Sequence, residues 1–196
     1  MRLRPGLSEA ILQVGHGYYT KARLEEKDGL DEKAKEYYQK AITVWERIIT
    51  DLPASTGTSP EAYYCSAVVY SQELGDYLKG IDYYQKVVDN WPDYTFAWRA
   101  QFFVGMYYEK LRNSGNVPES EVIPKIEQAY QSVIEKYPDS KSVPYAALKL
   151  GYLNLKRGQR AEAVMYYELF LATADPGDSR IKNVKARLEK LKGEDQ

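Results

Sequence analysis

Apolar residues recur along this chain at helical spacing. In "IDYYQKVVDNWPD" Ile81, Tyr84, Val87 and Val88 fall at i, i+3, i+6 and i+7 and make one stripe. In "IEQAYQSVIEKYPD" the stripe is Ile126, Tyr130, Val133 and Ile134. In "AVMYYELFLATADPGD" it is Val164, Tyr167, Phe170 and Leu171. β-Branched residues are present but strict alternation is not, so the pattern predicts helices rather than strands. Each phrase closes with proline, at Pro92, Pro138 and Pro176, and an earlier one, "AITVWERIITDLP", closes at Pro53. Proline cannot continue a helix and pushes the residue before it out of helical conformation, so each phrase is a helix with a fixed stop.

A second helical segment precedes each of these. The four are "SEAILQVGHGYYTKARLEE", "SPEAYYCSAVVYSQELGD", "YTFAWRAQFFVGMYYEKL" and "SVPYAALKLGYLNLKRGQ". Ser59 is expected as an N-cap with Pro60 at the first helical position, and Pro144 plays the same part later. Gly75 and Gly158 stand where the first helix must end and the chain reverse, a left-handed position open to glycine. The unit is therefore helix, tight turn, helix, proline. The polar stretch "RNSGNVPESEV" reads as a longer loop, and the charged "EEKDGLDEKAKE" is expected to extend the second helix of the first unit.

Two amphipathic helices cannot bury their apolar faces alone, but stacked neighbours can. The predicted fold is all-α: a helical-hairpin solenoid of about four units plus a C-terminal capping helix, as a single domain over 1–196. The units lie at about 7–53, 60–92, 94–138 and 143–176. The terminal helix, about 179–192, carries Ile181, Val184, Leu188 and Leu191 on one stripe, with Asp178 or Ser179 capping its start.

Composition narrows the function classes. The chain is 44% hydrophobic, with 27 basic and 28 acidic residues and a formal charge of −1, so binding nucleic acid through a strong basic field is disfavoured. A single cysteine, Cys65, forbids an intramolecular disulfide. No window approaches a membrane-spanning apolar run, and "MRLRPGLSEAIL" lacks the apolar stretch of a signal peptide. The expected location is the cytoplasm or, if a leader has been removed ahead of Met1, the periplasm or the outer membrane. The 19 tyrosines stand out, many in doublets at 18–19, 37–38, 63–64, 83–84, 107–108 and 166–167. One member of each doublet is expected to pack, while its neighbour, about 100° round the helix, meets the adjacent helix or solvent.

Several positions recur in all four units. The fourth has Leu150-Gly151, Gly158, Ala163, Tyr167 and Phe170, with Pro176 one position late. The second has Gly75, Gly80, Tyr84, Val87 and Pro92; the third Val104-Gly105, Tyr108, Tyr130, Val133 and Pro138; the first Val14-Gly15, Tyr18, Ala41, Trp45, Ile48 and Pro53. On these positions the chain resembles the tetratricopeptide repeat (TPR) family over roughly residues 7–192. More narrowly, "VIEKYPDSKSVPYAALKLGYLNLKRGQRAEAVMYYELFL" resembles the bacterial envelope branch of these repeats, which includes BamD-type outer-membrane assembly lipoproteins and the periplasmic Tol–Pal coordinator. That resemblance implies a non-catalytic scaffold that binds partner proteins. The alternative is a cytoplasmic adaptor or self-associating subunit of a soluble complex.

In this family the first helices line a concave face. Alignment on the small mid-helix residue points Leu12, His16 and Tyr19 of the first unit towards it. Arg99, Phe102, Met106 and Glu109 follow from the third unit, and Tyr145, Leu148, Tyr152 and Leu155 from the fourth. The second unit is ambiguous by one residue: with Val68 as the small position the face carries Cys65, Val69 and Gln72, and with Ala67 it carries Tyr64, Val68 and Ser71. Such a groove suits an apolar or amphipathic protein segment. Two other outcomes stay open: the C-terminal helix fills the groove, or copies of the chain associate into a homo-oligomer. Family members that clamp a terminal carboxylate use lysines and asparagines here, and only Arg99 is available.

Catalytic and metal chemistry find little in the sequence. His16 is the only histidine, with no serine or cysteine in a recognisable nucleophile motif, and Cys65 sits alone on an apolar helix. One histidine and one cysteine do not make a ligand cluster in sequence. No phosphate-cradling G-x-x-x-x-G-K or G-x-G-x-x-G occurs. No enzyme activity, cofactor or metal is expected.

Overall fold

The computed structural model describes residues 6–52, 57–115 and 117–193. Among these the chain is helical and without strands. The helices are α1 (Leu7–Lys27), α2 (Asp31–Asp51), α3 (Ser59–Val68), α4 (Tyr77–Asn90), α5 (Ala97–Asn113), α6 (Glu119–Lys136), α7 (Val143–Lys156), α8 (Arg160–Thr173) and α9 (Ile181–Gly193). A π-helical segment, Val69–Glu73, continues α3. The chain divides into two compact units, Met1–Leu111 and Arg112–Gln196.

In the first unit α1 pairs with α2 and α3 with α4, and α2 also packs on α3. The repeat aromatic holds each hairpin. Trp45 of α2 is almost wholly buried and lies so close to Gly15 of α1 that a Cβ there would stand 2.1 Å from its Nε1. The indole N–H donates to the Leu12 carbonyl at 3.3 Å. Tyr84 of α4, fully buried, meets Phe103 and Tyr107 of α5 at centroid distances of 5.3 and 6.1 Å. In the second unit Tyr167 of α8 covers Gly151 of α7, where a Cβ would stand 2.6 Å from the ring. In the first and fourth hairpins the repeat aromatic, Trp45 or Tyr167, thus locks the helix pair at a glycine-sized gap.

The turn at Gly75 has φ +70°, and that at Gly158 φ +74°, the left-handed backbone that glycine adopts without steric cost. The first hairpin is longer. Its turn falls at Asp28–Leu30, so the extra residues lengthen α1 as well as α2. Gly15 lies fourteen residues before Gly29, where Gly151 lies seven before Gly158. Ala41 lies twelve after Gly29, where Ala163 lies five after Gly158. Each helix has gained seven residues, close to two turns, so the register across the pair is kept. The expectation that only the second helix would grow is corrected on this point.

Helix starts differ by one residue from expectation. Ser59 is the first helical residue of α3, with Thr58 before it and Pro60 second. Pro144 is likewise second in α7. The proposed stop at Pro53 lies outside the described residues. The joints between hairpins recur with one geometry. Tyr94 N–H donates to the Trp91 carbonyl and Ala97 N–H to Tyr94. Ser140 and Val143 repeat this on Tyr137 and Ser140, and Asp178 and Ile181 on Asp175 and Asp178. Two successive turns thus carry the chain from one hairpin into the next helix.

Candidate functional site: the face of the first helices

The first helices carry the positions expected to line a groove, and burial sorts them. Leu12, Val69 and Leu148 are buried at 5%, 0% and 5% exposure and cannot meet a partner directly. Leu12 and Leu148 pack into their own hairpin cores, which corrects their place in the groove. His16, Tyr19, Cys65, Phe102, Met106, Glu109, Tyr152 and Leu155 are half-buried, and Arg99 and Tyr145 are exposed.

The ambiguity in the second repeat has a physical cause. Within Val69–Glu73 the hydrogen bonds lengthen by one residue: Leu74 N–H donates to the Val69 carbonyl at 3.0 Å. A π-bulge of this kind adds one residue to the helix without adding a turn. Ala67 is fully buried and takes the small position, eight residues before Gly75 instead of seven. Upstream of the bulge the outward residues are therefore Tyr64 and Val68, and downstream Gln72. Val69 and Ser71 turn inward. The face is a splice of the two registers that the sequence offered.

Polar ties hold this face from behind in the first unit. Tyr19 donates its hydroxyl to Glu73 Oε1 at 3.2 Å, and the Arg23 guanidinium lies 3.5 Å from Glu73 Oε2. Arg23 also pairs with Glu26, which accepts the Tyr38 hydroxyl. On the far side, Tyr70 and Tyr83 both donate to Glu46 Oε1, at 2.9 and 2.7 Å. Burial, and then the Glu73 carboxylate, push the Tyr19 phenol up. These hydroxyls stay protonated donors.

His16, Glu61 and Cys65 come together on the same face. His16 Nε2 lies 3.2 Å from Glu61 Oε1, and one ligand atom from each of the three residues lies within 4.8 Å of the others. Burial, and then the Glu61 carboxylate, push the Cys65 thiol up to about 12. The Trp45 ring stands edge-on to His16 at 5.5 Å. Glu61 is the member that sequence reasoning missed. It is 45 residues from His16, and only the repeat register, which sets α1 beside α3, could have brought it in.

In the second unit α9 reaches the same face of α7. The Arg180 guanidinium lies over the Tyr145 ring at 4.4 Å, and that of Arg187 over Tyr152 at 5.2 Å. Leu148 shares its core with Val184, Leu188 and Leu191 of α9. Part of the fourth unit's predicted groove is thus packed against the chain's own last helix.

Four of the six tyrosine doublets divide as expected: Tyr38, Tyr84, Tyr107 and Tyr167 are buried beside half-buried Tyr37, Tyr83, Tyr108 and Tyr166. At 18–19 and 63–64 both members are half-buried. No helix is long and apolar enough to cross a membrane among the described residues.

No curated protein matches the chain in sequence. Tetratricopeptide-repeat family models match residues 15–44, and 61–94 with 145–174. Among solved structures, the nearly identical TPR-like repeats of a Podosopora anserina putative kinesin light chain superpose with a TM-score of 0.61. They share 15% identity, covering 91% of this chain and 87% of that one. Pseudomonas aeruginosa PilF superposes at 0.56, with 16% identity over 95% and 84%. PilW, a widely conserved type IV pilus biogenesis factor, gives 0.47, with 14% identity over 92% and 87%. The first two likenesses are of fold. Residues 15–44, 61–94 and 145–174 are the segments that match tetratricopeptide repeats.

Proposed function

We propose that this chain is a non-catalytic scaffold that binds a protein segment along the first-helix face. The observation that carries the reading is a row of half-buried apolar and aromatic side chains. In the first compact unit these are Tyr19, Tyr64, Val68, Phe102 and Met106, with Tyr19 tied through its hydroxyl to the nearly buried Glu73 side chain. Half-exposed apolar groups on a rigid support suit an amphipathic partner, which buries them further without ordering them first. The setting we favour is a multiprotein complex of the bacterial envelope, such as outer-membrane protein assembly, in the periplasm or at the outer membrane. The pattern of residues 133–171 supports it: the "YPDS" turn, Leu150-Gly151 and "YYELFL".

The test is capture of partners by the purified chain from separate envelope and soluble extracts, followed by binding of the captured protein in pure form. Met106→Glu is expected to abolish that binding with unchanged helicity. Leu78→Ser, on the exposed side of α4, is expected to leave it intact. A partner that binds Met106→Glu as tightly as the native chain refutes the face. Capture from soluble extract alone refutes the envelope setting.

A further inference from the structure

We propose that His16, Glu61 and Cys65 form a binding site for a borderline divalent transition-metal cation, zinc(II) foremost, that clips α1 to α3. Nothing in the scaffold reading requires such a site. It is carried by the convergence of three different donor types from two helices. Glu61 and Cys65 stand at i and i+4 on α3, so both project to one face. His16 of α1 opposes them, and the three ligand atoms already lie within 4.8 Å of one another.

Zinc bonds to nitrogen, oxygen and sulfur are about 2.0–2.3 Å, so donors on a tetrahedron stand roughly 3.4–3.7 Å apart. The pair His16 Nε2 and Glu61 Oε1, at 3.2 Å, is already near that spacing. Closing the sulfur onto the other two is a side-chain adjustment of about 1 Å on the same bond-length grounds. A mixed nitrogen, oxygen and sulfur set favours borderline cations over magnesium or calcium, which take oxygen donors. The charges also balance. One thiolate and one carboxylate neutralise a divalent ion, the imidazole binds neutral, and the thiol proton leaves to solvent.

The surroundings fit a held but reachable ion. The His16 and Glu61 side chains are 32% and 41% exposed, which leaves an entry path and a fourth coordination position for water. The Trp45 ring, fixed by its bond to the Leu12 carbonyl, stands edge-on to the His16 imidazole and limits its rotation. The alternative is a histidine–carboxylate hydrogen bond with a cysteine packed beside it.

Cobalt(II) and zinc(II) titrations of the purified full chain separate the two. Cobalt is expected to bind at one equivalent, with a sulfur-to-metal charge-transfer band and the visible bands of a tetrahedral ion, and zinc to displace it. Cys65→Ser should abolish the charge-transfer band. His16→Gln and Glu61→Gln, each checked for unchanged helicity, should weaken binding by on the order of 100-fold or more, at least the loss seen for outer-shell partners of bound metals. Zinc should also raise the thermal midpoint of the native chain and leave that of Cys65→Ser unmoved. The site is refuted if the native chain shows no charge-transfer band. It is equally refuted if cobalt binds His16→Gln and Glu61→Gln as tightly as the native chain, since Cys65 then acts alone.

Discussion

The second and fourth hairpins have nearly the same sequence plan and solve one packing problem in two ways. Both turn at a left-handed glycine, and both carry a buried polar residue four positions earlier. Ser71 and Asn154 each bond back to the carbonyl four residues before them, at 2.7 and 2.8 Å. In the fourth hairpin α7 is regular, and Gly151 leaves a gap that Tyr167 fills. In the second, a π-bulge adds a residue, and Ala67, with a methyl group, holds the corresponding place. The repeat tolerates a change of side-chain volume where the backbone changes pitch.

The sharpest way to break this comparison is to exchange the small residues. Gly151→Ala gains about 1 kcal/mol of helix propensity. It also drives a Cβ to 2.6 Å from ring atoms of a fully buried Tyr167, which has no room to move. Overpacking costs typically 1–3 kcal/mol, so the net effect is expected to be destabilising by up to about 2 kcal/mol. Ala67→Gly faces no clash and is expected to cost about 1–2 kcal/mol, from lost helix propensity together with the loss of a fully buried methyl group. Chemical denaturation of both variants checks this. A stabilised Gly151→Ala would mean that Tyr167 does not need the gap.

A second contrast lies two residues before each turn. The second hairpin has Glu73 there, its side chain only 8% exposed and bound to Tyr19 and Arg23. The fourth has Lys156, which is exposed. Glu73→Ala is expected to cost about 1–3 kcal/mol, because the half-buried Tyr19 hydroxyl loses its acceptor. Lys156→Ala is expected to stay within about 0.5 kcal/mol. Equal effects in equilibrium unfolding would show that the ties behind the first-helix face do not stabilise it.

The repeats were legible because their signals are local. Stripe spacing, turn glycines and closing prolines each constrain a few neighbouring residues, and the helices follow them. What was hidden depends on counting across a break in that regularity. The π-bulge leaves no mark in the apolar pattern except an unresolved choice between Ala67 and Val68. The even sharing of the insertion between α1 and α2 follows from keeping Gly15 against Trp45, a contact that the sequence shows only as two distant residues. Burial of Leu12 and Leu148 was missed because a helix face seen alone does not reveal how far its hairpin partner wraps round it. The meeting of His16, Glu61 and Cys65 needs two helices from different repeats, so no local spacing announces it.

The joints give the smallest and most local test. The same pair of turns leads into α5, α7 and α9, but its central residue is Tyr94 in the first case, Ser140 in the second and Asp178 in the third. Only Asp178 is charged. Its carboxylate accepts from Arg180 Nε at 2.8 Å and from the Arg180 backbone N–H at 2.9 Å. The Arg180 side-chain bond, then its backbone bond, hold the Asp178 carboxyl down at about 2. A carboxyl whose folded-state pKa is depressed contributes its stabilisation above the unfolded value, near 4, and loses it as pH falls towards 2. Acidification over that window is therefore expected to release Arg180 from Asp178 and disturb the Tyr145 ring that it covers, while the joint at Tyr94 stays unchanged. NMR titration of the Asp178 carboxyl carbon, with the Tyr145 and Tyr94 ring signals followed together, reads this directly. A midpoint near 4 for Asp178 would mean that Arg180 does not hold it in solution. The start of α9 would then be held, like that of α5, without a charged pair at its central turn residue.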